Sequence, residues 1–207
     1  MKQANRMVGA SAISAVMLIG LSAPPAQAGY VVTLEQVGGD VVATGSGAID
    51  LTGLSLDINF SGLASMIPSI GQILTGPALP DSSNIDVYTG ITPITGPANF
   101  GSGPGALANS GNGDIVGVHG FFGEIVVPGG YVSGGSLSDT SSYDARTFSS
   151  LGVTPGRYEW TWGSGANQNF TLLIGEVPEP STWAMMLLGF AGLGLAGWRH
   201  RRTACNV

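Results

Sequence analysis

The fold class is indicated by the run Leu54-Ser55-Leu56-Asp57-Ile58-Asn59-Phe60, in which apolar and polar residues alternate. Successive side chains of a strand point to opposite faces, so the four apolar residues would share one face. The run therefore predicts a half-buried β-strand with its apolar face against the core. No stretch between residues 29 and 177 sustains helical periodicity over three turns.

Two pairs of apolar runs predict β-hairpins. The first joins residues 30–37 to residues 41–49 through Gly38-Gly39-Asp40. The second joins residues 158–162 to residues 170–174 through a loop that is rich in glycine. Further strands are predicted at residues 85–89, 114–119, 120–127, 131–133 and 146–148.

Two stretches between these strands are less regular. Residues 61–80 are consistent with a strand, a short helix or an apolar loop, and residues 96–113 are predicted to form a long surface loop. Short strands with Gly, Pro and Asn turns between them are typical of an antiparallel β-sandwich rather than of βαβ units. The sequence therefore predicts an all-β body.

The N-terminus has the order of features found in a secretory signal peptide. Lys2 and Arg6 precede an apolar run from Met7 to Leu21, and the small-x-small triplet containing Ala26 and Ala28 follows. Residues 1–28 are therefore predicted to be removed by signal peptidase before Gly29. The exported β-rich domain is predicted to cover residues 29–176 as a single domain.

The C-terminus carries an apolar run of sixteen residues, Trp183 to Trp198, followed by the cytoplasmic basic cluster Arg199, Arg201 and Arg202. At about 1.5 Å per residue such a helix spans roughly 24 Å, a little less than a bilayer core. Basic residues remain in the cytoplasm, so this segment predicts a single transmembrane helix with the body on the outer side. A helix this short is better suited to a temporary tether than to a permanent anchor.

The residues that lead into this run carry a family resemblance. They include Val177, Pro178, Glu179, Pro180, Trp183 and Ala184. With the apolar run and the basic cluster, they resemble the PEP-CTERM sorting signal over residues 177–203, a signal also labelled an ice-binding-protein C-terminal domain.

The resemblance implies a partner and a route. The partner is an exosortase, a membrane cysteine protease-transpeptidase of Gram-negative bacteria that make extracellular polysaccharide. The route is a transient tether in the inner membrane, then the cell surface, the outer membrane or secretion. Residues 32–36, 44–47 and 151–163 are also similar to a β-rich domain found on other PEP-CTERM proteins, which implies no activity.

Charge in the body limits the partners that it can bind. Of the seven Lys and Arg residues only Arg146 and Arg157 lie between the two ends, against twelve acidic residues from Glu35 to Glu176. The net charge of about −10 repels a phosphate backbone, so nucleic acid is not expected as a partner.

The body offers few residues for catalysis or metal binding. Its one histidine is His119, it has no cysteine, and no serine lies in a Gly-x-Ser-x-Gly elbow. Zinc would need more His or Cys ligands than this. The carboxylates near 112–114 and 139–144 are interpreted as turn residues rather than calcium ligands. A hydrolase would depend on Glu124, Asp139, Asp144 or Glu159, and we predict no enzyme, cofactor or metal.

The aromatic residues Tyr158, Trp160 and Trp162 share one face of a predicted strand. Exposed, they would form a platform for sugar stacking, but Phe170, Leu172 and Ile174 could instead bury them. We therefore predict a non-enzymatic exported surface or matrix protein. The alternatives are a module that binds extracellular polysaccharide or ice and, third, a secreted hydrolase.

Overall fold

The computed structural model describes residues 29–91 and 93–175, which form thirteen strands and two short helices. The strands are β1 (Tyr30–Val37), β2 (Asp40–Ala48), β3 (Leu54–Gly62), β4 (Ser65–Ile67), β5 (Gln72–Thr75), β6 (Ser83–Gly90), β7 (Ala106–Leu107), β8 (Ser110–Gly113), β9 (Val116–His119), β10 (Glu124–Pro128), β11 (Ser136–Tyr143), β12 (Gly156–Thr161) and β13 (Asn169–Ile174). The helices are a 3-10 turn at Pro68–Ile70 and α1 at Phe148–Leu151.

The strands form two sheets that enclose a common apolar core. The first sheet has the order β12-β13-β1-β2-β11-β8, and the second has the order β3-β6-β10-β9-β5-β4-β7. The core contains Tyr30 and Phe170 from the first sheet together with Val118 and Ile125 from the second. The all-β prediction is therefore confirmed. The sheets are not wholly antiparallel, however, because β1 and β13 run parallel.

The parallel pair determines where the body meets the two predicted targeting segments. Tyr30 lies opposite Phe170, and Leu34 lies opposite Ile174. The chain therefore enters β1 at the end of the sheet where β13 begins. It leaves β13 at the other end, where the amide of the exposed Gly175 donates to the carbonyl of Leu34 at 2.9 Å. We call the end at Gly175 the exit end and the opposite one the far end.

The strand predicted at Leu54–Phe60 is confirmed as part of β3, but the prediction that its apolar residues share one half-buried face was wrong. A β-bulge between Leu56 and Ile58 shifts the pairing of β3 with β6, so Leu56 lies opposite Tyr88 and Ile58 lies opposite Val87. Because neighbours on β6 point to opposite faces, the bulge puts Leu56 and Ile58 on different faces. Both side chains stay about half exposed on this edge strand, at 54% and 53%.

The two predicted hairpins are confirmed. In the first, Val37 pairs with Asp40 around the two-residue loop Gly38-Gly39, and Gly38 has the positive φ of 64° that such a loop requires. The second joins β12 to β13 in antiparallel register. Residues 61–80, where the sequence left three readings open, contain β4, the 3-10 turn and β5 in succession.

Four predictions of local structure were wrong. Residues 120–123 form a turn before β10 rather than its first half, and residues 131–133 are not a strand. Residues 146–148 lead into α1, whose first turn is capped by Thr147 through a capping box with Ser150. Residues 96–113 contain β7, β8 and the buried Phe100, so they are not simply a surface loop.

Strand β11 was not predicted because its sequence is polar. It reads Ser-Leu-Ser-Asp-Thr-Ser-Ser-Tyr, yet Leu137, Asp139, Ser141 and Tyr143 all point into the protein and are buried. The hydroxyl of Ser141 accepts the amide of Gly76 at 2.8 Å and donates to the carbonyl of Gly76 at 3.1 Å. A polar residue can occupy a core position when its hydrogen bonds are satisfied in this way.

Within the described residues, no helix is long and apolar enough to cross a membrane. The predicted signal peptide, residues 1–28, and the predicted transmembrane helix, residues 183–198, both lie outside those residues.

Candidate functional site

Two of the three aromatic residues considered for sugar stacking, Trp160 and Trp162, face the interior. Trp160 is fully buried and Trp162 is 4% exposed. Each indole N–H donates to a main-chain carbonyl, from Trp160 to Pro97 at 2.9 Å and from Trp162 to Asp50 at 2.8 Å. The two indoles therefore offer no free ring face to a sugar, and the condition for the sugar-stacking interpretation is not met.

Packing explains why the indoles turn inward. Trp160 lies opposite Phe170 on β13, and the two rings meet edge to face with 5.9 Å between centroids. Tyr158, the third residue of the predicted platform, is half-buried. Its hydroxyl donates to the carbonyl of Thr154 at 3.0 Å. Trp160 and Phe170 thus share the buried face of the first sheet, as the competing, core-facing interpretation of this hairpin required.

The four acids considered for hydrolysis lie in separate environments. Glu124 binds Nδ1 of His119 at 2.6 Å on the second sheet, and Glu159 forms an exposed ion pair with Arg157 at 3.0 Å on the first. Asp144 is exposed after the end of β11. Asp139 is buried and accepts a hydrogen bond from the hydroxyl of Tyr30.

The Asp139–Tyr30 pair is an interior polar contact between β11 and β1. Burial raises the pKa of Asp139 to about 6, while the hydrogen bond from Tyr30 acts in the opposite direction. Burial and the nearby Asp139 carboxylate also raise the pKa of the Tyr30 phenol. Gly45 lies between the two strands, and a Cβ there would come within 2.7 Å of the Asp139 carboxylate. The side chains thus fill their space and leave no access for a substrate.

The two segments considered and rejected as calcium-binding loops lie mostly in paired strands, with Asp114 and Asp144 just outside them. Asn112 lies opposite Thr140, and Gly113 lies opposite Asp139, in the β8–β11 ladder. The carboxylate of Asp114 accepts the main-chain amide of Ser138 at 2.9 Å. No three His, Cys, Asp or Glu side chains come together as a metal-binding group anywhere in residues 29–91 and 93–175.

An open cleft lies at the turn between β9 and β10. It has a volume of about 290 Å³. It is lined by Thr89, Gly90, Pro93, Ile94 and the turn Gly120–Gly123. Phe121 and Phe122 in this turn are 65% and 61% exposed, and their rings pack edge to face with 5.2 Å between centroids. Two large apolar rings thus stand in solvent at the rim of a concave surface.

A polar group lies on the adjoining strands, and of its members only Thr89 lines the cleft. Glu124 lies opposite Thr89 on β6 and opposite His119 on β9, so the three side chains share one face of the second sheet. The His119 and Glu124 side chains are 14% and 23% exposed, which leaves part of each accessible to solvent. Neither arginine of the described residues, Arg146 or Arg157, lines the cleft.

Sequence reasoning missed this cleft because it placed residues 120–127 in a strand. One signal was present: Phe121 and Phe122 are adjacent and flanked by Gly120 and Gly123. Adjacent residues of a strand point to opposite faces, and glycines on both sides are typical of a turn. Gly123 has a φ of 67°, as a tight turn requires.

The residues assigned to sorting and processing lie outside the described residues. They are Ala26, Ala28, Val177, Pro178, Glu179, Pro180, Trp183, Ala184, Arg199, Arg201 and Arg202. The described residue that precedes the C-terminal group is Gly175, which is exposed at the exit end of the first sheet.

Comparison with known proteins identifies the C-terminal segment. Residues 176–202 match the PEP-CTERM protein-sorting motif, which confirms the resemblance drawn from the sequence. No curated protein and no solved structure matches the chain. The motif indicates export and sorting by an exosortase at the membrane, whereas the β-rich body lies outside the matched residues.

Proposed function

We propose that this protein is an exported, non-enzymatic surface or matrix protein that an exosortase releases from the inner membrane. The observation that carries the proposal is the sorting motif at residues 176–202, which directly follows the last strand of the body. Signal peptidase acts at the other end, before Gly29. The body then reaches the cell surface, the outer membrane or the medium.

The arrangement of the body supports a route of this kind. Strand β13 lies between β12 and β1 inside the first sheet, so the body is anchored up to Ile174. Gly175 then leaves the sheet at the surface.

The non-enzymatic part of the proposal is supported by the separation of the chemically active side chains. Glu124 pairs with His119, Glu159 pairs with Arg157, and Asp139 is enclosed in the core. Hydrolysis by a carboxylate pair requires two carboxyl groups facing one accessible bond. A buried acid and an acid paired on the opposite sheet do not supply that geometry.

Mass spectrometry of the protein from cells with and without the exosortase tests this proposal. We expect a chain that begins at Gly29 in both, and loss of Arg199 to Arg202 only where the enzyme is present. Replacing Glu179 with Ala should retain the tail, whereas Glu159→Ala, a control in the body, should leave processing unchanged. An intact chain in the cytosol, or tail removal independent of the exosortase, would contradict the proposal.

A further inference from the structure

The turn Gly120–Gly123 exposes more apolar ring surface than a solvated loop requires. Phe121 and Phe122 are each more than 60% exposed, and Ile91, just after β6, is 79% exposed. Glu124 pairs with Thr89, so the end of β6 and this turn lie at the same end of the second sheet. A grouped apolar patch of this kind is typical of a binding surface rather than of chance exposure.

The position of the turn points away from the membrane tether. A Cβ on Gly120 would come within 2.7 Å of the Trp160 indole nitrogen, and Trp160 lies opposite Phe170 near the start of β13. The turn therefore lies towards the far end of the sandwich, whereas the sorting segment follows Gly175 at the exit end. A body tethered through its C-terminus would present this patch to the exterior rather than to the bilayer it is tethered to.

Charge restricts what can occupy the cleft. The body carries no lysine, and Arg157 is paired with Glu159 on the other sheet. Arg146 lies two residues before Phe148, whose ring adjoins Gly175 at the exit end. Because the lining holds no charged side chain of either sign, a charged group such as a phosphate, sulfate or uronate would find no counter-charge there. The occupant that fits is neutral.

Shape and hydrogen-bonding groups restrict it further. The volume of about 290 Å³ is at the lower end of the roughly 300–1,000 Å³ typical of small-molecule sites. Flat apolar rings beside the hydroxyl of Thr89, in a lining without charged side chains, suit a ligand with one apolar face and hydroxyls along its edge. A neutral sugar has this combination, because its C–H groups lie on the faces of the ring and its hydroxyls project outward.

We propose that the Phe121–Phe122 cleft binds a neutral carbohydrate, with a phenyl ring stacked on the sugar face and the hydroxyl of Thr89 bonded to a sugar hydroxyl. The cleft thus takes the role that the sequence analysis considered for Tyr158, Trp160 and Trp162 on the condition that they were exposed. The inference deepens the proposed function. It rests on that function only because the protein must be exported to meet such glycans. Binding by purified protein is measurable whether or not export is correct.

The test is an array of neutral glucans, galactans and mannans beside uronate-containing and sulfated glycans, probed with the full-length chain in nanodiscs. We expect retention on neutral glycans only. Phe121→Ala and Phe122→Ala should each weaken binding about tenfold, which is the value of one aromatic contact. Leu79→Ala, which removes an equally exposed apolar side chain elsewhere, should leave binding unchanged.

Circular dichroism and thermal unfolding of each variant separate lost binding from lost folding, and both should be unchanged because the rings are exposed. No binding to neutral glycans would overturn the proposal, as would full binding by the folded Phe121→Ala/Phe122→Ala variant. Two other outcomes also overturn it. One is dissociation of an oligomer by the double substitution, which would make the patch a self-association surface, and the other is binding of body-only protein to phosphatidylcholine vesicles through these rings.

Discussion

The two aromatic groups of this protein, Trp160 with Trp162 and Phe121 with Phe122, have opposite environments. Trp160 lies in β12 and Trp162 follows its last residue, and both are buried with each indole N–H satisfied by a carbonyl. The phenylalanines are adjacent in a turn and stand in solvent. The sequence had offered the tryptophans as a sugar-stacking platform only if they were exposed, with burial against Phe170, Leu172 and Ile174 as the other interpretation. Whether an aromatic ring stabilises the fold or faces a ligand depends on what covers it in the folded protein.

The difference also divides the molecule into regions with different tolerance of change. The region around Trp160 is closely packed, so a change of shape there should cost stability. The turn that carries Phe121 has open space on one side, so a change there should affect binding while the fold stays intact. Three experiments test this division.

Truncating one ring of each group gives the largest expected contrast. Trp160→Ala should lower the free energy of unfolding by about 3–5 kcal/mol, because it leaves a cavity in the core and removes the contact with Phe170. Phe121→Ala should change it by less than about 0.5 kcal/mol. Urea unfolding followed by circular dichroism measures both. Equal losses for the two variants would mean that the turn is as tightly packed as the core.

The interior acid provides a second contrast, through pH. Burial raises the pKa of Asp139 from 3.8 to about 6, so the folded protein binds this proton more tightly than the unfolded chain does. The tighter proton binding stabilises the folded protein by up to about 3 kcal/mol. This stabilisation is complete below about pH 4 and is lost as the pH rises through about 6.

Asp139→Asn isolates this effect, because the amide oxygen still accepts from Tyr30 but does not titrate between pH 4 and 8. The measurement is the difference in unfolding free energy between the parent protein and the variant across that range. We expect the parent to lose stability relative to the variant as the pH rises. Parallel curves would show that Asp139 titrates normally and is more solvated than its burial indicates.

Gly120 joins the two regions and gives the third contrast. A Cβ there would lie 2.5 Å from the carbonyl of Pro97 and 2.7 Å from the Trp160 nitrogen, the two ends of one hydrogen bond. Gly120→Ala should therefore destabilise the protein by about 1–3 kcal/mol. Gly39→Ala is the matched control, since nothing lies within 4 Å of its Cβ. A neutral Gly120→Ala would show that the turn moves freely relative to Trp160.

Regular alternation made several elements predictable. Residues 30–37 and 41–49 alternate or are continuously apolar around a Gly-Gly turn, and the hairpin follows from local chemistry alone. The pairing of β12 with β13 was predictable for the same reason. Strand β11 was not, because Asp139 and Ser141 are core residues only through partners on β1 and beside β5, far away in sequence.

The candidate site was less predictable than the fold. Alternation at Leu54–Phe60 suggested one buried face, but a bulge set by pairing with β6 divided the apolar residues between two faces. At Phe121 and Phe122 the flanking glycines marked a turn, but nothing local showed that the end of β6 would stand beside it. A cleft made from two strands and a turn exists only once those strands are paired.

The sequence by itself determined the sorting motif, the all-β class and the absence of lysine from the body, since each depends on residue order or composition and requires no partner. The tertiary structure decided which aromatic rings are buried, which acids are enclosed and where the chain leaves the body relative to the cleft. These outcomes depend on contacts between residues distant in sequence. The energy of burying a side chain is set by what covers it, and that covering is a property of the folded sheets.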